Sequence, residues 1–168
     1  KSIDCVWNGM TLTDEVKAGM DCSNPYCNNA QVIVVPADKA DKYKTAADCK
    51  DLTFAVEAGS AGEEQATANG FKKTPVLDQA TALSEVAAGT CDAAIIDSLM
   101  AGAMIGEGTS YPDMVLGDQL TEEKYGAGCR VDSDLTSFIN QVMYEAQEDG
   151  TLVATAEKYG VEASLVEQ

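Results

Sequence analysis

The sequence predicts an α/β protein, and three observations carry that prediction. Short apolar, β-branched runs alternate with helical patterns from residue 52 to beyond residue 97. Glycines fall where helices should end, and serine or aspartate falls where they should begin. Towards the C-terminus the strand character disappears and the pattern becomes amphipathic helix.

Taken in order, "IDCVW" and "QVIVV" read as buried strands, and Pro36 closes the second because proline cannot donate to a ladder. Between them, "NGMTLTDEVKAGMDCSNPYC" (Asn8 to Cys27) reads as a polar loop and a charged turn. Then come strand "LTFAV", a helix from Ser60 to about Asn69, a strand near "TPVL", a helix from Asp78 to Ala88, strand "CDAAII" and a helix from Asp97 onward. Gly70 and Gly89 stand just past helix ends, and Ser60 and Asp78 stand at N-caps. Such alternation implies right-handed crossovers and a mainly parallel sheet. A Gly-rich passage, "IGEGTSYPDM", leads to an extended "EKYGAGCRV". Leu135, Phe138, Ile139, Val142, Met143 and Ala146 then recur at helical spacing behind a Ser133 cap. Gly150 ends that helix, and a second runs from Thr151 to Tyr159. Its apolar face is expected against the opening residues or something outside the chain.

Composition narrows the function. With 28 acidic against 11 basic residues the net charge is −17, which disfavours nucleic acid and anionic bilayers as partners. No apolar run approaches the ~20 residues that span a bilayer, and no signal peptide opens the chain. Histidine is absent, which excludes Ser-His and Cys-His nucleophile pairs and His-ligated metals; neither a cofactor nor a metal is expected. Cys5, Cys22, Cys27, Cys49, Cys91 and Cys129 read as small buried core residues, with one or two disulfides as the alternative. The Cys22–Cys27 spacing, with four residues between, is a poor match to the tight pairs of zinc or redox sites.

Three constellations could carry chemistry. After strand "LTFAV", "EAGSAGEE" gathers free N–H groups at a helix start, which suits a carboxylate; equally, Ser60 and Glu63 make a capping box needing no ligand. Asp97 ends strand "DAAII", where open α/β sheets bind ligands, and could receive an ammonium group or simply cap the next helix. In the opening loop, Gly9 and Thr11 could offer an N–H and a hydroxyl, or only connect a strand to a turn.

Together, "WNGMTLTDE", "DCSNPYCNNAQVIVV", "FAVEAGSAGEE", "DQATALSEVAAGTCDAAIIDS", "LTEEKYGAG" and "DSDLTSFINQVMYEAQEDGTLVATAEKYG" occur in an order and spacing covering nearly the whole chain. The sequence so resembles the family 3 extracytoplasmic solute-binding proteins of polar amino-acid ABC importers, with the two-lobed, type II periplasmic-binding-protein fold. The resemblance implies a Venus flytrap in which two lobes close around the ligand. Lobe 2, residues 31–125, would be complete. Lobe 1, residues 1–30 plus 126–168, would be incomplete, because family members carry further residues ahead of this start; strand exchange or a domain-swapped dimer would cover its edge. Hinge strands would lie near 29–35 and 123–128.

The resemblance also assigns residues. Asn8, Gly9 and Thr11 match the lobe 1 loop that holds the ligand. Ser60 and the Ala61 N–H match the lobe 2 carboxylate grip, and Asp97 matches the acid that takes the α-amino group. Glu57 falls where specificity varies and would favour a second cation. Val16, with Lys17 beside it, stands where the family has an arginine for the ligand carboxylate. The implied function is extracytoplasmic binding of an amine-bearing solute, a polar or basic amino acid, for delivery to an ABC permease. A sensor ectodomain and a dehydratase-like enzyme on the same scaffold are the alternatives; with no histidine and no nucleophile beside a base, an enzyme is not expected.

Overall fold

The computed structural model describes residues 2–168. In chain order the strands are β1 (Cys5–Thr11), β2 (Asp21–Cys22), β3 (Cys27–Asn29), β4 (Gln31–Pro36), β5 (Thr53–Glu57), β6 (Lys72–Val76), β7 (Ala93–Asp97), β8 (Met114–Gln119) and β9 (Glu123–Cys129). The helices are α1 (Asp14–Gly19), α2 (Ala61–Ala68), α3 (Gln79–Ala87), α4 (Ser98–Met104), α5 (Leu135–Glu148) and α6 (Thr151–Tyr159). They form two compact units: the residues before Ala30 with Glu123–Gln168, and Ala30–Glu122.

In the first unit β9 is the spine. β1 pairs along one edge and β2 and β3 along the other, all antiparallel. β1 bulges: Val6 and Met10 pair with Gly128 and Gly126, so the partner uses two fewer residues over the same stretch. Gly9 turns within the bulge at φ +76, against the Tyr125 ring. The expected charged turn is a short helix, α1, whose Thr13 hydroxyl accepts the Val16 N–H at 3.1 Å. α5 lays Ile139, with half-buried Leu135 and Met143, over Ala127, Cys129 and Cys5. Phe138, 64% exposed, and Val142 remain open on the same helix. The Ser133 cap is displaced by one residue. Asp134 is already helical and occupies the N-cap, while the Ser133 hydroxyl accepts from the Leu135 N–H at 3.3 Å. Rather than the opening residues, α6 packs chiefly on α5 and on the 3₁₀ turn Glu162–Ser164.

The second unit is a five-stranded sheet in the order β6-β5-β7-β4-β8. β5 pairs in parallel with β6 and β7, whereas β4 is antiparallel to both β7 and β8. The expected mainly parallel sheet is therefore mixed, and one reversed strand, β4, accounts for both antiparallel pairings. Alternation along β4 sends Val32 and Val34 to one face and Ile33 and Val35 to the other, so both faces are buried. Leu83 and Val86 of α3 with Ala101 of α4 cover the first face. Ala66 of α2 and the stacked Phe54 and Phe71 rings, 4.5 Å apart, fill the second.

Candidate functional site

The carboxyl ends of β5, β6 and β7 lie side by side, and an acid stands at or just beyond each. Glu57 ends β5, Asp97 ends β7, and Asp78 follows β6 as the α3 N-cap, accepting the Thr81 N–H at 2.7 Å. This is the edge where ligands of such sheets bind. Asp97 also occupies the α4 N-cap position, but its side chain makes no cap hydrogen bond. Its carboxylate turns to two amides instead. Gln31 Nε2 donates to Oδ1 at 2.6 Å and Gln79 Nε2 donates to Oδ2 at 2.6 Å, while the Asp97 N–H donates to Gln79 Oε1 at 2.9 Å. Neutral donors orient both oxygens without neutralising the charge.

Electrostatics reinforce that geometry. Burial pushes the Glu57 carboxyl above its ordinary value of 4.5, and the charges of Asp97 and Asp78 push it further, against an opposing hydrogen bond from Gln79. A half-buried acid raised by its own neighbours is a place where an added cation lowers the energy.

Gln31 and Gln79 are the residues that sequence reasoning missed. Gln31 opens β4 and lies directly across from Asp97 in the antiparallel register, so the reversed strand delivers it to this edge. It is buried. Gln79 is the first residue of α3 behind the Asp78 cap. The only signal was position, each beginning an element.

Ser60 and Ala61 begin α2 beside this cluster. The Ser60 hydroxyl donates to the Glu57 carbonyl at 2.8 Å and accepts the Glu63 N–H at 3.2 Å. Glu63 returns its carboxylate to the Gly59 N–H at 2.7 Å, not to Ser60 as a strict capping box would, and pairs with Lys73 at 2.8 Å. The first N–H groups of a helix have no partner within it, and Ala61 is the first residue of this one. Gly62 lets it approach closely: a Cβ there would lie 3.0 Å from both Gln31 Oε1 and the Ile95 carbonyl.

In the other unit, Asn8 is exposed in the β1 bulge, next to Trp7, whose ring centroid lies 6.0 Å from that of Tyr26. Burial raises the Tyr26 hydroxyl, while hydrogen bonds from Trp7 and the Gly9 backbone pull the other way. Thr11 ends β1 and donates to Glu123 Oε2 at 3.1 Å, an oxygen that also accepts from Asn29 Nδ2 at 3.0 Å. Val16 is half-buried in α1 and Lys17 is exposed. Arg130, the single arginine of the sequence, pairs with Asp4 and donates to the Ile3 carbonyl at 3.1 Å. No group of three or more metal-binding side chains occurs among the described residues, and no helix there is long and apolar enough to cross a membrane.

A sheet edge with an oriented aspartate and a second acid, on this α/β scaffold, has the character of a small-solute binding site. The chain belongs to the bacterial extracellular solute-binding proteins, family 3, whose description matches residues 1–162. It is 31% identical to the L-cystine-binding protein TcyJ of Escherichia coli strain K12, over 95% of this chain and 60% of that protein. It is 29% identical to the arginine-binding extracellular protein ArtP of Bacillus subtilis strain 168, over 95% of this chain and 64% of the relative. A crystal structure of a mutant of ArgBP from T. maritima superimposes with a TM-score of 0.86 at 34% identity, covering 95% of this chain and 69% of that one. The chain thus spans about 60% of the length of its E. coli relative.

Proposed function

We propose that the protein binds an amine-bearing solute, a polar or basic amino acid, outside the cytoplasm and delivers it to an ABC permease. Its two compact units would serve as the two lobes. The observation that carries this reading is the Asp97 carboxylate, held by Gln31 and Gln79 at the ligand end of the sheet and not turned to cap α4. Asp97 takes the α-ammonium, Glu57 favours a second cation, and the Ala61 N–H holds the carboxylate at the start of α2, joined by the Ser60 hydroxyl when that turns from the Glu57 carbonyl to the ligand. In the other unit Asn8, Gly9 and Thr11 keep the contacting role that the family resemblance implies.

Val16 places an apolar side chain where the family pattern has its arginine, and Arg130 is already engaged with Asp4. Lys17 beside Val16 or another cation therefore substitutes for that arginine, or the ligand does not present a carboxylate there. Binding rather than catalysis is the reading, because the site acids have no activated nucleophile beside them.

A calorimetric screen of the amino acids and of simple diamines tests this. Arginine, lysine or a polar neutral amino acid is expected to bind. Glutamate or aspartate as the preferred ligand would overturn the assignment of Asp97 and Glu57.

A further inference from the structure

Two thiols of the first unit face each other across a strand pair, and the binding site makes no use of them. Cys5 on β1 and Cys129 on β9 are direct partners in the antiparallel register. Opposite residues in such a ladder have Cα atoms about 4.5–5.5 Å apart, and disulfides span about 4.4–6.8 Å. Both side chains lie on the face covered by Ile139 of α5. Cys129 is buried, whereas Cys5 is half-buried. A recess of about 190 Å³ opens beside them, with Cys5, Cys129, Met20, Gly128 and Arg130 in its lining. Small groups from solvent thus reach Cys5.

The third nearby thiol is out of register. On the other edge of β9, Asp21 is the partner of Cys129, while Cys22 pairs with Gly128. Side chains alternate along a strand, so Cys22 faces the opposite side of the sheet from Cys129.

We propose that Cys5 and Cys129 are a modification site that closes into a cross-strand disulfide on meeting a low-molecular-weight disulfide. The Cys5 thiolate attacks one sulfur of the reagent, its S–S bond breaks, and one small thiol leaves with the proton that Cys5 has lost. The Cys129 thiolate then attacks the Cys5 sulfur of the mixed disulfide and displaces the second small thiol. Two protein thiols are oxidised, one reagent disulfide is reduced to two thiols, and no other electron acceptor is required. Burial, and next the contact with Cys129, push the Cys5 thiol up, so the first step speeds up as pH rises. The link ties β1, which carries the Asn8–Gly9 bulge, to the spine strand. An extracytoplasmic setting, where such bonds persist, would maintain it, but the reaction itself does not depend on the ligand assignment.

The test is peptide mapping of the full, reduced chain after native incubation with hydroxyethyl disulfide and alkylation. The expected product has lost about two mass units and links the Cys5 peptide to the Cys129 peptide. Cys22→Ser retains the link, while Cys129→Ser leaves a stable mixed disulfide on Cys5. The oxidised chain should also unfold a few degrees higher than the reduced chain, a difference that dithiothreitol removes. Alkylation of both Cys5 and Cys129 after the incubation, a link involving Cys22, or an oxidised chain that unfolds below the reduced one would each overturn the proposal. Because the mapping uses the unaltered sequence, it stands even if a variant fails to fold.

Discussion

At the residue scale the candidate site is a contest between charge and burial. Glu57 is raised by burial, then by Asp97 and Asp78, so the unliganded fold holds its proton to higher pH than the unfolded chain does. A carboxyl raised in the folded state contributes stability that is present below its unfolded value, and loses it as pH rises through the folded value. The chain without ligand should therefore lose unfolding temperature as pH rises from 4.5 upward through the Glu57 titration, and Glu57→Gln should flatten that slope. The same substitution should weaken a dicationic amino acid about tenfold while raising the melting temperature of the unliganded protein at neutral pH. Thermal melts across pH and parallel titrations check both; an unchanged slope would remove Glu57 from the cluster. Gln79→Ala removes its hydrogen bonds to the Asp97 N–H and Oδ2 and should cost about 1–3 kcal/mol, read by denaturant unfolding. Asp97 was legible in the sequence because an acid at a strand's carboxyl end is a local signal. Gln31 and Gln79 were not, since a glutamine acquires its role only from the group that tertiary pairing sets before it.

At the element scale, the reversed strand explains most of what the sequence concealed. Apolar runs reveal strands but not their direction, and "QVIVV" reads the same either way. Its antiparallel register sets Gln31 opposite Asp97 at the ligand edge. β8 escaped notice because its residues, "MVLGDQ", carry a glycine and two polar groups at a half-exposed edge. The α/β alternation and the Ser60 and Asp78 caps were legible, since each is set by neighbours within a few residues. The start of α2 supplies a test. Gly62→Ala would place a methyl 3.0 Å from Gln31 Oε1 and from the Ile95 carbonyl, so the helix must retreat from the sheet. The expected cost is about 1–3 kcal/mol in stability, with weaker ligand binding because Gln31 is displaced from Asp97. Unchanged stability and affinity would mean that the close approach is immaterial.

At the scale of the whole molecule, the two units differ in what holds them. Ala30–Glu122 buries both faces of its sheet under helices, whereas the other unit rests on a small cluster around Ala127, Cys129 and Ile139, with Phe138 and Val142 exposed on α5. Native-state hydrogen exchange should therefore be slowest in β4, β5 and β7 and faster throughout β1 and β9. Equal protection in both would contradict that distribution. Acids stand at or just beyond the carboxyl ends of β5, β6 and β7, and the central claim is that one of them, Asp97, receives the ligand's amine. The most direct measurement is a calorimetric titration of the unaltered protein and of Asp97→Ala with the best ligand from the screen, with thermal melts to show that both are folded. The expected result is loss of at least about a hundredfold in affinity in the folded variant. A folded Asp97→Ala protein that binds with unchanged affinity would contradict the claim.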